Sequence, residues 1–216
     1  MKWLEIWLNA FFHPTIETYS RIISDPKSSL SWGLVWAAIT VLVTWVLSPL
    51  RELLGGLVAN VFGGLKTFYF VSVIGAPVAV ILGVLGFVLL TAIMHGLARL
   101  FNGAGTFPQL IFCWAVMQLP FVLLAGLVMS IPLGFPPSRE FVFSRIGMII
   151  QISKSLVTQC IYLYLFYAQI VAFSAIEKFR IGKGFGIIIL SAIVIGIAGA
   201  CLSNGLQALA MNFLRY

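Results

Sequence analysis

Charge is the scarcest commodity in this chain: only 9% of its 216 residues are Asp, Glu, Lys or Arg, against about 25% in a soluble domain. Because 61% of the residues are hydrophobic, no single water-soluble core could hide them, and a bilayer has to act as the solvent. Histidine is almost absent as well. His13 and His95 stand on different segments, and no acidic residue falls near the centre of an apolar run. Catalysis by a nucleophile or a metal needs convergent polar groups, so the expectation is a protein that is not an enzyme and has no cofactor and no metal site. His95 reads first as a helix-end residue facing headgroups or a neighbouring carbonyl. Cys113, Cys160 and Cys201 are an odd, widely separated trio without metal or disulfide spacing, and read as small apolar packers. No N-x-S/T acceptor, C-terminal lipidation box or cleavable signal pattern is evident, and the first span is expected to direct insertion.

What charge there is carries a sign. The formal net charge is +7, but the Lys and Arg residues are scattered at the ends of apolar runs and not clustered on one solvated face, which excludes a nucleic-acid footprint. Attraction to anionic lipid headgroups explains them better.

Five apolar runs are long enough to act as spans: Leu30–Leu47, Val71–Ile93, Pro108–Ile131, Ile149–Ile176 and Phe185–Phe213. The expected fold is therefore all-α, a polytopic membrane protein of five transmembrane helices, with residues 1–216 forming a single domain and residues 1–29 an interfacial amphipathic segment. Within that segment Trp3, Leu4, Trp7, Leu8, Phe11 and Phe12 recur at helical spacing between Lys2, Glu5 and Asn9. That pattern suits a helix lying at headgroup depth, with docking to a protein partner as the rival reading. His13-Pro14 ends it, Thr15 to Ser24 forms a second short helix, and Asp25-Pro26 reads as the N-cap and first residue of the opening span. Ser48-Pro49 is expected to close that span. Leu50 to Val61 then forms a short interfacial piece weakened by Gly55, Gly56, Gly63 and Gly64. The three prolines of PLGFPPSREFVFSRIG mark a loop between spans three and four.

Small residues form two ridges, Gly75, Ala79 and Gly83 on span two and Ala192, Gly196 and Ala200 on span five, where backbones can approach closely. Each ridge should lie against another helix. Span four is the most polar, with Gln151, Ser155, Thr158, Tyr162 and Gln169 near one face. Pro120 should bend span three by freeing the carbonyl of Val116, and Gln118 would then meet the polar face of span four in a candidate seam.

The chain's organising feature is the corner from His95 to Pro120. Asn102, Gly103 and Gly105 tolerate φ > 0 and close one helix near Phe101, and Thr106 three residues before Gln109 has the spacing of a capping box that opens the next. Any helical hairpin needs such a turn. Yet His95, Arg99, Asn102, Gly103, Gly105, Thr106, Phe107 and Pro120 together resemble the central signature of the Yip-one domain family, multi-span membrane proteins named for binding Ypt/Rab GTPases. The opening FFHPTIETYSRIISDP and the five spans are similar to that family too, although a second Gly often stands where Asn102 does. The resemblance implies a non-enzymatic membrane-organising protein or trafficking adaptor, with a protein partner or a second copy of the chain also possible and Rab-type partners absent if the member is prokaryotic. The alternative is a small transporter, channel or lipid-handling protein built on the polar seam.

Basic residues divide almost evenly between the two sides. With the N-terminus inside, seven basic residues (Lys2, Arg21, Lys27, Arg99, Lys178, Arg180, Lys183) face the cytosol against six outside (Arg51, Lys66, Arg139, Arg145, Lys154, Arg215). The short, dense EKFRIGK loop favours N-inside. The expected location is a bacterial inner membrane with the N-terminus cytosolic.

Overall fold

A computed structural model describes residues 2–56, 61–130 and 145–213, and among these no strand occurs. The described residues form seven helices in order: α1 (Trp3–Phe12), α2 (Ile16–Ile23), α3 (Leu30–Gly56), α4 (Val61–Leu100), α5 (Phe107–Ser130), α6 (Arg145–Glu177) and α7 (Ile181–Phe213). Stretches of α4, α5, α6 and α7 are long and apolar enough to cross a membrane, and Leu30–Trp45 of α3 is a shorter apolar helix. The helices outrun the expected spans. At about 1.5 Å per residue α4 extends about 60 Å, twice the hydrocarbon thickness of about 30 Å.

Two expected boundaries are wrong for local reasons. The first span does not start at Asp25-Pro26, because the Asp25 carboxylate instead accepts from Lys27 N–H at 2.9 Å in a tight turn. Ser29 caps α3, its Oγ accepting from Trp32 N–H at 3.4 Å. Nor does Ser48-Pro49 stop the helix: α3 continues to Gly56, and Gly63 and Gly64 belong to α4. Apolar periodicity continues past the proline, and membrane helices tolerate the one backbone bond it removes. Residues 57–60, and residues 131–144 with most of the expected three-proline loop, lie outside the described residues.

Helix α5 is the hub. It packs against α3 and α6, with α1, α2 and α4 completing its surroundings. Every residue from Leu110 to Met117 is buried, which a helix achieves only with neighbours on all sides. The ridge on α4 does meet a helix: a Cβ on Gly83 would lie 2.7 Å from Val41, and one on Gly75 would lie 2.8 Å from Trp45, both on α3. The ridge on α7 does not. Ala192 and Gly196 are exposed, and a Cβ on Gly196 would meet nothing within 4 Å. Gly83→Leu should therefore cost about 1–3 kcal/mol of stability by overpacking, while Gly196→Leu should leave thermal melting in mild detergent unchanged.

The short N-terminal helices form a hairpin on this bundle. Trp3 packs on Trp32, Trp36 and Phe112 with ring centroids 4.9, 5.2 and 6.2 Å away, and Phe11 packs on Phe121 at 4.7 Å. Phe112 and Phe121 stand five and 14 residues beyond Phe107, so α1 runs beside α5 from about 8 Å to about 21 Å past the corner. Its inner face buries Ile6 and Ala10, while Leu4, Leu8 and Phe12 remain exposed in a stripe at i, i+4 and i+8. Helix α2 has the opposite outer face: Tyr19 and Ile22 are buried, whereas Glu17 and Arg21 are exposed and paired at 3.5 Å. One helix thus turns an apolar face outward and the next a polar one, as an element at a bilayer boundary would.

A buried hydrogen bond locks the hairpin. Tyr19 Oη donates to the carbonyl of Ala10 at 2.9 Å and stands 3.4 Å from Met117 Sδ. Burial pushes the Tyr19 phenol above its ordinary range, which keeps it a donor. Tyr19→Phe should cost about 1 kcal/mol, because the Ala10 carbonyl loses its donor, and should raise protease sensitivity at the N-terminus before that of the bundle.

Candidate functional site

The corner is built by two helix ends that stop in the same way. At the end of α4, Gly103 N–H donates to Ala98 C=O at 2.8 Å and Asn102 N–H to Arg99 C=O at 3.1 Å, with Asn102 at φ 61°. This paired pattern satisfies carbonyls that a helix end otherwise leaves orphaned. At the end of α6, Phe179 N–H donates to Ser174 C=O at 2.9 Å, with Lys178 at φ 56°. The two ends lie side by side, joined by a backbone bond from Ala104 N–H to Glu177 C=O at 3.2 Å.

Glu177 sits at the centre with its side chain fully buried. One carboxylate oxygen is 3.0 Å from His95 Nδ1, and the other accepts from Gly105 N–H at 2.9 Å. Arg99 donates to the carbonyls of Gly103 at 3.1 Å and Gly105 at 2.7 Å, and its Nε stands 3.4 Å from His95 Nε2. Guanidinium nitrogens only donate, so His95 Nε2 is the acceptor and Nδ1–H is the donor to Glu177. From the far side Lys183 Nζ donates to Phe101 C=O at 2.6 Å and lies 4.3 Å above the Phe179 ring. Gln109 Oε1 accepts from Thr106 N–H at 3.2 Å, the reach-back expected of a capping box. The ends of α4, α5, α6 and α7 are thereby tied into one unit.

The glycines are needed for space. Among the described non-glycine residues only Asn102 and Lys178 have positive φ, and neither Gly103 nor Gly105 has a left-handed φ, contrary to the expectation that they supply it. A Cβ on Gly103 would run into the Glu177 carboxylate, and one on Gly105 would lie 2.8 Å from Ile176 C=O and 2.9 Å from Glu177 Cδ. The absent side chains let two backbones close over a buried carboxylate.

Six of the eight signature residues contribute side-chain or backbone bonds to this corner: His95, Arg99, Asn102, Gly103, Gly105 and Thr106. Phe107 packs its ring 5.9 Å from that of His95. Pro120 lies inside α5, away from the corner. Glu177, the residue on which the site turns, was not singled out by the sequence reading, which took EKFRIGK as a basic loop. Its signal was the position: a lone acid, among only six in the chain, at the end of an apolar run.

The polar seam is not gathered. Helices α5 and α6 do pack together, but Ser155 and Tyr162 are exposed, Gln169 and Gln118 are half-buried, and Thr158 is buried with no partner for its hydroxyl. The side chain of Gln151 lies outside the described residues, and among those residues no hydrogen bond joins Gln118 to α6. Between the two helices and the tip of α1 there is instead an apolar groove of about 370 Å³, lined by Phe11, Phe121, Leu156, Cys160, Ile161 and Tyr164 among others. Apolar side chains line this groove, and of the expected seam's described residues only Thr158 is buried.

Among the described residues no group of three or more His, Cys, Asp or Glu is placed to hold a metal ion. The Glu–His pair is laid out like an acid–base relay, but its free end is closed, since the remaining imidazole lone pair faces Arg99 Nε–H.

Long apolar helices around a buried hub, closed at one end by a polar corner, define a helical membrane protein. The chain matches the Yip1 domain family over residues 8–202 and belongs to that family. No curated protein and no solved structure matches it.

Proposed function

We propose that this chain is a non-enzymatic, membrane-organising protein that crosses the bilayer five times, with the N-terminus and the corner on the cytosolic side. The fifth crossing in this reading is α3, whose apolar stretch Leu30–Trp45 continues as helix to Gly56. Arg99, Lys178, Arg180 and Lys183 all lie at the corner, which supports a cytosolic face for it.

The observation that carries the function is the one-sided hairpin. Helices α1 and α2 thicken the bundle toward its corner end, with α1 beside the Phe112–Phe121 stretch of α5, and the Leu4–Leu8–Phe12 stripe is left for lipid. A body wider in one leaflet than in the other favours a bilayer convex on its wide side, because that shape relieves the area mismatch. A solute path, by contrast, has little to work with: the groove between α5 and α6 is lined by apolar side chains. Reconstituted protein with the corner outside should be enriched in small vesicles over large ones, and Leu4→Asn with Leu8→Asn should reduce that enrichment by about half or more as the apolar stripe is lost. Equal partition of the unmodified protein between the two vesicle sizes would reject the reading, as would solute leakage that depends on the protein.

A further inference from the structure

We propose that the corner is a binding surface for the phosphate of anionic phospholipids, an inference that rests on the membrane reading above. Four exposed cations, Arg99, Lys178, Arg180 and Lys183, come to one end of the bundle from two parts of the chain about 80 residues apart. The buried Glu177 carboxylate, hydrogen-bonded to His95 and to Gly105 N–H, offsets at most one of these four charges and leaves the corner net positive. Arg99 and Lys183 are instead held on uncharged backbone carbonyls. That fixes their positions and leaves their charge available to a phosphate.

The apolar neighbours of these cations indicate the partner. Leu100 is 77% exposed next to Arg99, and Ile181 is 44% exposed between Arg180 and Lys183. Large aliphatic side chains interleaved with cations fit the edge of a bilayer, where the charges meet phosphates and the aliphatic groups meet acyl chains. A free anion in water would use the cations but gain nothing from Leu100 and Ile181.

The test is thermal melting of the full chain in a neutral detergent, titrated in separate arms with phosphatidylglycerol, phosphatidylcholine and inorganic phosphate. The comparison variant is Lys178→Asn with Arg180→Gln. It spares every corner hydrogen bond described above, and Asn accepts the left-handed backbone at position 178. Phosphatidylglycerol should raise the melting temperature of the unmodified protein by about 4 °C more than phosphatidylcholine does. The variant should lose at least half of that difference and keep its response to phosphatidylcholine, and added salt should shrink the difference. Equal effects of the two lipids, an unchanged difference in the variant, or full reproduction of the effect by inorganic phosphate would overturn the proposal. Absence of any response to either lipid would instead indict the underlying membrane reading.

Discussion

Glu177→Ala is expected to destabilise this protein more than any other substitution at the corner, by about 3–5 kcal/mol, because it strips a buried, charge-assisted network of its acceptor. His95 Nδ1–H and Gly105 N–H both lose their partner at once, at a carboxylate that is itself fully buried. Glu177→Gln should cost roughly half as much. Its amide oxygen can still serve one of the two donors, but its NH2 group then faces the other. Thermal melting in mild detergent reads the ranking. A cycle with His95→Ala isolates the pair, and coupling of about 1 kcal/mol or more is expected between groups in direct contact. Additive losses would mean that the His95 contact contributes nothing of its own.

The second large effect is expected at Gly105. An alanine there places a methyl group 2.8 Å from the Ile176 carbonyl and 2.9 Å from the Glu177 carboxyl carbon. The first is backbone and the second is held by two hydrogen bonds, so the corner has to open. A cost of about 2–3 kcal/mol is expected, at the upper end of ordinary overpacking. The contrast lies in the same chain: Cβ atoms on Gly86 and Gly96 would meet nothing within 4 Å. Alanine at either of those helical sites should be neutral or stabilising by about 0.5–1 kcal/mol, since glycine is the costlier residue in a helix. Melting temperatures of the three variants, measured side by side, separate a need for space from a general dislike of substitution. Similar losses at all three would contradict the close-packed corner.

Much of this architecture was legible from composition and pattern. Scarce charge and long apolar runs announced membrane helices. Thr106 and Gln109 announced where α5 begins, and Asn102 announced where α4 ends. Where the reading failed, a local signal had been overridden by its surroundings. Asp25-Pro26 has the residues of a helix start, but the carboxylate closes a turn on Lys27 and the cap falls to Ser29, directly before the apolar run. Pro49 has the chemistry of a helix stop, yet the helix runs on through it. The two small-residue ridges look alike in sequence. Only the one on α4 has a helix opposite it, because that depends on which way each helix is rotated, and local spacing does not encode rotation.

The site itself was half visible. His95, Arg99 and the glycines stood out together because they are neighbours along the chain. Glu177 lies 82 residues from His95, and only the fold brings them together. The polar residues of α6 illustrate the converse. They share a helical face in projection, but Thr158 turns inward while Ser155 and Tyr162 turn outward, so proximity along a helix wheel did not become a common site.

The claim on which everything else depends is that the corner and the N-terminal hairpin share one face of the membrane. Single cysteines at Lys2, Asn102, Lys183 and Ser138, in a chain with Cys113, Cys160 and Cys201 replaced, can be labelled in sealed vesicles with a membrane-impermeant maleimide. Residues 2, 102 and 183 should react from the same side, and residue 138, on the connection between α5 and α6, from the other. Labelling of Lys2 and Asn102 positions from opposite sides, or of all four from one side, would contradict the account.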